Sequence, residues 1–290
     1  MNTPRTINLV GGRGYTGSEL LRLVAGHPYM ELGMASSRSV SGQSITSVCD
    51  GWPDDGKVFT SLEPQGVRAH PADAWVLALP NGLASVWVEH IRKDFPDSVI
   101  LDLSADYRFD PGWTYGLPER FRTEIKTSKL IANPGCYATG AQLGLLPVKD
   151  RLVSPPVIFG VSGFSGAGKT PSPRNDPDRL RDNLMPYALS GHVHEKEIGY
   201  QLGRDVSFMP HVAAFFRGIS LTISFELNAE VSTDELQDTF QQAYAGEERI
   251  RFSMTAPEVS AIQGLPDAHI GGFNIYARNS ARGAQVVVLD

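Results

Sequence analysis

Thr6-Ile7-Asn8-Leu9-Val10-Gly11-Gly12-Arg13-Gly14-Tyr15-Thr16-Gly17-Ser18-Glu19-Leu20-Leu21-Arg22-Leu23-Val24-Ala25 opens this chain of 290 residues and decides its first fold assignment. Thr6 to Val10 reads as a short buried strand, Gly11 to Gly17 as a glycine turn, and Ser18 to Ala25 as a helix with apolar residues at helical spacing. Glycines at 11, 14 and 17 let backbone amides approach a pyrophosphate, and the helix start behind them supplies unpaired N–H groups and a positive dipole end. The spacing is G-x-x-G-x-x-G, so an ordinary strand-to-helix turn is the competing reading, and the strand that follows at Met30 to Ala35 favours dinucleotide binding. NAD sites place a carboxylate ~20 residues past such a loop. Here Ser36-Ser37-Arg38 stand at the end of the second strand, with no acid until Asp50. Two hydroxyls and a guanidinium suit a 2′-phosphate and favour NADP over NAD, the alternative being a solvated polar loop.

Strand and helix patterns continue to alternate: Trp75 to Leu79, a helix around Leu83 to Ile91, then Val99 to Leu103. Alternation of this kind calls for a parallel sheet with crossover helices. After about residue 137 the pattern changes. Val157 to Val161 reads as a strand, a long polar loop runs through Pro177, and Ile219 to Leu227 alternates as a half-buried strand of an antiparallel sheet. Ser232 with Glu235 three residues on forms a helix-capping pair, and Gly272 to Tyr276 and Gln285 to Leu289 are further strands. The fold class is α/β followed by α+β.

Composition limits the function. Hydrophobic residues are 41% and charged residues 20%, which fills a core and excludes disorder as the main state. A net charge of −6, with no basic run, argues against nucleic acid or anionic membrane as partner. Leu130 to Val148, the longest stretch free of ionisable acids and bases, is broken by Asn133, Pro134, Gly135 and Pro147 and makes a poor membrane span. Two cysteines, Cys49 and Cys136, exclude a disulfide scaffold. With no charged and apolar leader at the N-terminus, a cytoplasmic location is expected.

Gly163-Phe164-Ser165-Gly166-Ala167-Gly168-Lys169-Thr170 matches the phosphate-loop pattern of nucleotide hydrolases at every position. That mechanism needs Lys169 and Thr170 to open a helix. Pro171 and Pro173 bias the residues before them to extended geometry, so the segment reads instead as a substrate-binding lid. Cys136, in Asn133-Pro134-Gly135-Cys136-Tyr137, stands at or beside the start of a helix over Ala138 to Leu146. There the dipole and free amides stabilise a thiolate and an oxyanion formed on it, although most free cysteines are simply small buried hydrophobes. In His192-Val193-His194-Glu195-Lys196-Glu197, His194 and Glu197 share a helix face if Glu195 onward is helical. A carboxylate on one imidazole nitrogen leaves the other as acid/base. A zinc site and a solvated histidine turn are the alternatives, and general acid/base chemistry without metal is favoured over both.

Taken together, these segments resemble the N-acetyl-γ-glutamyl-phosphate reductase family of arginine biosynthesis, in its shorter proteobacterial and fungal branch. The likeness rests on residues 11–17, Ala78 to Gly82, Leu101 to Phe109, Asn133 to Thr139, Ser162 to Gly168 and His192 to Glu195. It implies a Rossmann-type NADP-binding domain over 1–136 and a semialdehyde-dehydrogenase-like catalytic and dimerisation domain over 137–290. It also implies NADP(H) as cofactor and an acyl phosphate and its semialdehyde as substrate and product. By position, Cys136 is the nucleophile, His194 with Glu197 the acid/base pair, and His192 a nearby substrate-site histidine. Gly11, Arg13, Gly14, Tyr15, Thr16, Gly17, Ser36, Ser37, Arg38, Pro80, Ser165 and Gly166 fall to the cofactor, and Arg108, Asn133 and His192 to substrate, with Arg108 as an anion anchor. The same chemistry on an aminoadipyl phosphate, and a non-catalytic NADP-binding protein, are the rival readings. Family members usually continue past the last strand into a C-terminal helix that packs back on the first domain. The sequence stops at Leu289-Asp290, and if that segment is absent from the protein an apolar face of the first domain is left uncovered. The second domain's sheet can pair across a two-fold axis, so a homo-oligomer, dimer or tetramer, is expected.

Overall fold

The computed structural model describes residues 3–278 and 281–289. The chain divides into two compact units, Met1–Pro134 and Gly135–Asp290, so Cys136 lies at the start of the second.

The first unit runs β1 (Arg5–Val10), α1 (Tyr15–Ala25), β2 (Met30–Ser36), β3 (Ala74–Leu77), α2 (Ala84–Asp94), β4 (Val99–Asp102), β5 (Thr114–Tyr115), α3 (Pro118–Ile125) and β6 (Leu130–Ala132). All six strands pair in parallel, in the order β2-β1-β3-β4-β6-β5. The strand order reverses between β1 and β3, which is where open α/β sheets bind ligands, beyond the carboxyl ends of the strands. Period-two alternation divides the core between the two faces of the sheet. Ile7, Leu9 and Val76 pack with Leu21 and Val24 of α1, whereas Val10, Trp75 and Leu77 pack with Trp87, Val88 and Ile91 of α2. Leu9 and Leu21 are wholly buried, each worth about 1.5–3 kcal/mol relative to exposure. Helix α1 begins at Tyr15, not at Ser18, so the turn is shorter than the sequence suggested and Gly17 lies inside the helix. Between β2 and β3 there is no regular crossover helix. Short 3₁₀ turns at Arg38–Val40, Ile45–Ser47 and Pro64–Ala69 are pinned by buried Ile45, Cys49, Trp52 and Phe59.

The second unit contains α4 (Cys136–Leu145), β7 (Val157–Gly163), α5 (Pro177–Leu180), β8 (Leu184–Pro186), α6 (Val193–Leu202), β9 (Ser207–Ala213) and β10 (Ile219–Glu226). It ends with α7 (Thr233–Ala243), β11 (Ile250–Ser253), α8 (Val259–Ile262), β12 (Ala268–Arg278) and β13 (Ala281–Leu289). The sheet is mixed, in the order β11-β12-β13-β10-β7-β9-β8, with β7–β9 and β11–β12 parallel and the other pairs antiparallel. Strand β9 escaped the sequence reading because Pro210 and His211 interrupt its apolar pattern. In β10 Ile219, Leu221, Ile223 and Phe225 are buried and the residues between them half-buried. Helix α4 packs against β10 and α6 and is buried almost all round, as expected of an interior helix. Ser232 and Glu235 form the capping box their spacing predicted: the Glu235 N–H donates to Ser232 Oγ at 3.1 Å and the Ser232 N–H to the Glu235 carboxylate at 2.7 Å.

Candidate active site

In the first unit the glycine turn joins β1 to α1. Gly11 takes φ +90°, and a Cβ there would meet the Ala78 carbonyl oxygen at 2.2 Å. A Cβ on Gly17 would lie 2.8 Å from both the Gly11 oxygen and the Gly12 Cα. These two glycines are demanded by the fold. Gly14 is different: its φ is −62° and the nearest neighbour of a Cβ would be 3.9 Å away. A glycine the fold does not require, at a helix N-cap that carries no side-chain cap, leaves the start of α1 open to close approach of an anion. Arg13 and Thr16 are exposed beside it and Tyr15 is half-buried. The residues present therefore fit a pyrophosphate.

Ser36 is buried at the end of β2, and its carbonyl accepts the N–H groups of Gly11 and Gly12 at 3.0 Å each. Ser37 Oγ lies 3.4 Å from Ser39 Oγ. Exposed Arg38 gives its Nε and Nη2 to the Glu63 carboxylate at 3.1 and 2.8 Å. The sequence shows no acid at this strand end, yet the fold brings one 25 residues along the chain. Exposed Pro80 follows β3, where the Asn81 Oδ1 accepts the Ala105 N–H, and the Asp106 carboxylate accepts the N–H groups of Gly82 and Ala84 at 2.6 and 3.1 Å. Asp102 is buried, which pushes its carboxyl up, and takes the Ser104 hydroxyl at 2.7 Å. Arg108 is 8% exposed. Its Nε donates to the Asn133 carbonyl at 2.9 Å and its Nη2 to the Leu103 carbonyl at 3.2 Å, so it fastens the backbone beyond β4 to that beyond β6. Asn133 donates its backbone N–H to Asp102 and its side-chain amide to the Pro134 carbonyl.

In the second unit Cys136 is exposed and opens α4, with Gly135 as N-cap. Anionic sulfur is favoured at such a helix start. Glu197 on α6 is wholly buried and accepts the Gly135 N–H at 2.8 Å, tying the helix that carries His194 to the residue before Cys136. Helix α6 begins at Val193, so His194 and Glu197 share a face, as expected. His192 is the N-cap of α6: its Nδ1 accepts the His194 N–H at 3.1 Å, which leaves the proton of the neutral ring on Nε2. Burial first, and then the charge of Arg174, push its pKa down. The rings of His192 and His194 lie 4.8 Å apart.

Two tyrosines complete the cluster. Tyr137 is buried next to Cys136 in the chain, with its ring edge-on to His194 at 5.9 Å. Its hydroxyl donates to the His211 carbonyl at 2.6 Å, and Ser162 and Tyr187 both act on its ionisation. Burial raises the pKa of both tyrosines, and each also feels the charge of Cys136. A Cβ on Gly160 would stand 2.7 Å from the Tyr137 ring, so that strand glycine makes room for it. Tyr187 stacks edge-on to His192 at 5.6 Å. The sequence reading gave no role to Tyr137, Tyr187, Ser162 or Arg174. Tyr137 lies in the motif around Cys136 and Ser162 in the glycine-rich segment that carries the likeness, whereas nothing local marks Tyr187 or Arg174.

Ser165 and Gly166 lie in a 3₁₀ turn, Phe164–Ala167, with the Ser165 N–H donating to the Phe216 carbonyl. No helix opens at Lys169: Gly168 has φ +78° and Ser172 is extended, as the prolines dictated. Two of the donors of the alternative zinc site are engaged, His192 Nδ1 with His194 N–H and the Glu197 carboxylate with Gly135 N–H. Among the described residues no group of three or more His, Cys, Asp or Glu could hold a metal. Among them no helix is long and apolar enough to cross a membrane.

Residues 6–128 match the semialdehyde dehydrogenase NAD binding domain and residues 136–290 the semialdehyde dehydrogenase dimerisation domain. The N-acetyl-gamma-glutamyl-phosphate reductase of Stenotrophomonas maltophilia is 49% identical over 287 residues, covering 98% of this chain and 89% of that protein. Protein arg-6, mitochondrial, of Neurospora crassa is 46% identical over 284 residues, 95% of this chain and 32% of that much longer protein. The fold is that of aspartate semialdehyde dehydrogenase II from Vibrio cholerae, with a TM-score of 0.77 at 15% identity over 99% of this chain and 93% of that one. A glycine turn open to a pyrophosphate, a cysteine at a helix start and a histidine-bearing helix tied to the residue before it agree with sequence similarity over nearly the whole chain: the chain belongs to the semialdehyde dehydrogenases and, among them, to the N-acetyl-γ-glutamyl-phosphate reductase family.

Proposed function

We propose that this protein reduces N-acetyl-γ-glutamyl phosphate to N-acetyl-glutamate 5-semialdehyde and phosphate, with NADPH as reductant, in arginine biosynthesis. The observation that carries the chemistry is the second-unit cluster, in which Cys136 starts α4 and Glu197 of α6 holds the N–H immediately before it. The Cys136 thiolate attacks the acyl carbon, the C–S bond forms, and the C–O bond to phosphate breaks. Backbone N–H groups of the first turn of α4 stabilise the oxyanion. When bound, NADPH supplies the hydride that reduces the resulting thioester. His194 protonates the oxyanion of the thiohemiacetal and takes the proton back as the C–S bond breaks, which releases aldehyde and regenerates the thiolate. Glu197 orients α6, and His192, neutral with Nε2 protonated, offers a hydrogen bond to substrate.

Gly11, Gly14, Gly17 and the start of α1 would hold the pyrophosphate, and Ser36, Ser37 and Arg38 the 2′-phosphate. The open face of the second sheet, with Val157 and Phe159 still 41% and 37% exposed, supports association of two copies through that face. The free thiols of Cys49 and Cys136 support a reducing, cytoplasmic setting. The test is a coupled assay in reverse, in which N-acetyl-glutamate semialdehyde, phosphate and NADP generate reduced nicotinamide absorbance. Cys136→Ser abolishes that signal while NADPH binding persists. Retained turnover in the variant, or none in the wild type, ends the reading. Offering the aminoadipyl aldehyde in parallel assigns the substrate length.

A further inference from the structure

Arg174 sits in the loop between β7 and α5, and its Cζ lies 4.9 Å from the centre of the Tyr187 ring. Tyr187 in turn feels the charges of Cys136 and Arg174. From Tyr187 the contacts continue to His192 at 5.6 Å and from there to His194 at 4.8 Å. An exposed arginine far from the catalytic residues in sequence thus joins the cluster around the nucleophile.

The neighbouring Asn175 braces the turn. Asn175 donates to the carbonyls of Gly168 and Thr170 at 2.7 and 2.8 Å and accepts the Ser172 N–H at 2.7 Å. The carboxylates of Asp176 and Glu195 are committed to backbone N–H groups. Asp176 accepts the N–H groups of Asp178 and Arg179, and Glu195 those of Gly191 and Phe208. Among the described residues no carboxylate pairs with Arg174, whereas the neighbouring Arg181 is matched by Asp178 at 2.7 Å. A guanidinium in a braced turn, set over an aromatic ring and left without a carboxylate partner is suited to an anion of the substrate.

We propose that Arg174 anchors the carboxylate of the substrate that is remote from the reacting carbonyl, an inference that rests on the reading of the preceding section. The departing phosphate has to lie beside Cys136 and His194, and the ring contacts run from Arg174 through Tyr187 and His192 before they reach His194. The anion at that end of the cluster is therefore the carboxylate, which makes Arg174 a specificity residue for acidic acyl phosphates.

Arg174→Leu and Arg174→Lys separate the possibilities in the reverse assay. For Arg174→Leu the KM of the semialdehyde rises about 30-fold, the value of one charged hydrogen-bonded pair. The KM values of phosphate and NADP stay within about twofold, and Arg174→Lys recovers part of the loss. N-acetylglutamine, which carries only the remote carboxylate, is titrated calorimetrically against wild type and Arg174→Leu, so the anchor is read without turnover. Weaker binding to the variant supports the proposal even if the wild-type enzyme proves inactive on the glutamyl aldehyde, an outcome that would count against the proposed function alone. An unchanged semialdehyde KM, a rise confined to phosphate, or equal binding of N-acetylglutamine to both proteins overturns it.

Discussion

Removing the carboxylate of Glu197 tests whether the tie between the two helices holds the nucleophile in place. The side chain is wholly buried and accepts the Gly135 N–H at 2.8 Å. In Glu197→Ala that buried donor is left without its acceptor, at a cost of about 1–3 kcal/mol, and the lost side-chain volume adds a cavity cost of about 1–2 kcal/mol. A total near 3 kcal/mol corresponds to a fall of about 6–12 °C in melting temperature for a unit of this size. Glu197→Gln keeps an oxygen for the Gly135 N–H and loses only the charge assistance, about 1 kcal/mol, or 2–4 °C. If the carboxylate also orients the acid/base helix for proton transfer, kcat falls by about 10²-fold in Glu197→Gln despite the small loss of stability. Calorimetric melting and steady-state kinetics on both variants read the two effects separately. A Glu197→Ala protein that melts with wild type would refute the structural argument. A Glu197→Gln enzyme with wild-type kcat would leave Glu197 as a strut and nothing more.

Four further outcomes are expected. Gly17→Ala should gain about 1 kcal/mol of helix propensity but lose more, about 1–3 kcal/mol, from a Cβ 2.8 Å from the backbone of Gly11 and Gly12. Weakened NADPH binding and a lowered melting point check this, and Gly26→Ala, whose Cβ would meet nothing within 4 Å, is the control. The pKa of His192 is lowered in the folded protein, by burial first and then by Arg174. Between that value and about 6.5 the unfolded state binds more protons, so this contribution to stability is fully present above pH ~6.5 and fades as pH falls toward the folded value. In His192→Asn, which keeps a helix cap, the acid-side loss shrinks when urea titrations are compared from pH 7.5 to 5; a pH-independent difference would contradict this. Iodoacetamide should label exposed Cys136 and spare Cys49, which is buried with its thiol pushed up, as peptide mapping will read. Phe159→Asp should halve the mass seen by light scattering if two copies meet on the open sheet face, and an unchanged mass would place the interface elsewhere.

Much of the fold was legible because its signals are local. The glycine turn, the alternation in β10 and the Ser232 capping pair each lie within a window of a few residues and appear where the spacing placed them. The starts of α1 and α6 each fall earlier than expected, because the caps Gly14 and His192 act before the first apolar residue. Irregular 3₁₀ turns replace a crossover helix after β2, since buried Ile45, Cys49, Trp52 and Phe59 hold that segment through contacts without any periodic pattern.

By itself, the sequence determined that a strand, a glycine turn and a helix open the first unit, that Cys136 stands where a helix starts, and that no helix opens at Lys169. Each of these depends on backbone dihedrals and hydrogen bonds between near neighbours, so the residue types are sufficient. Tertiary structure alone decided that Glu63 meets Arg38, that Glu197 holds Gly135, that Arg108 spans two strand ends, and that Arg174 and Tyr187 join the histidines. Those contacts join residues up to 62 positions apart. They form only once sheet order and helix packing have closed the intervening loops, and no short window of sequence encodes that closure.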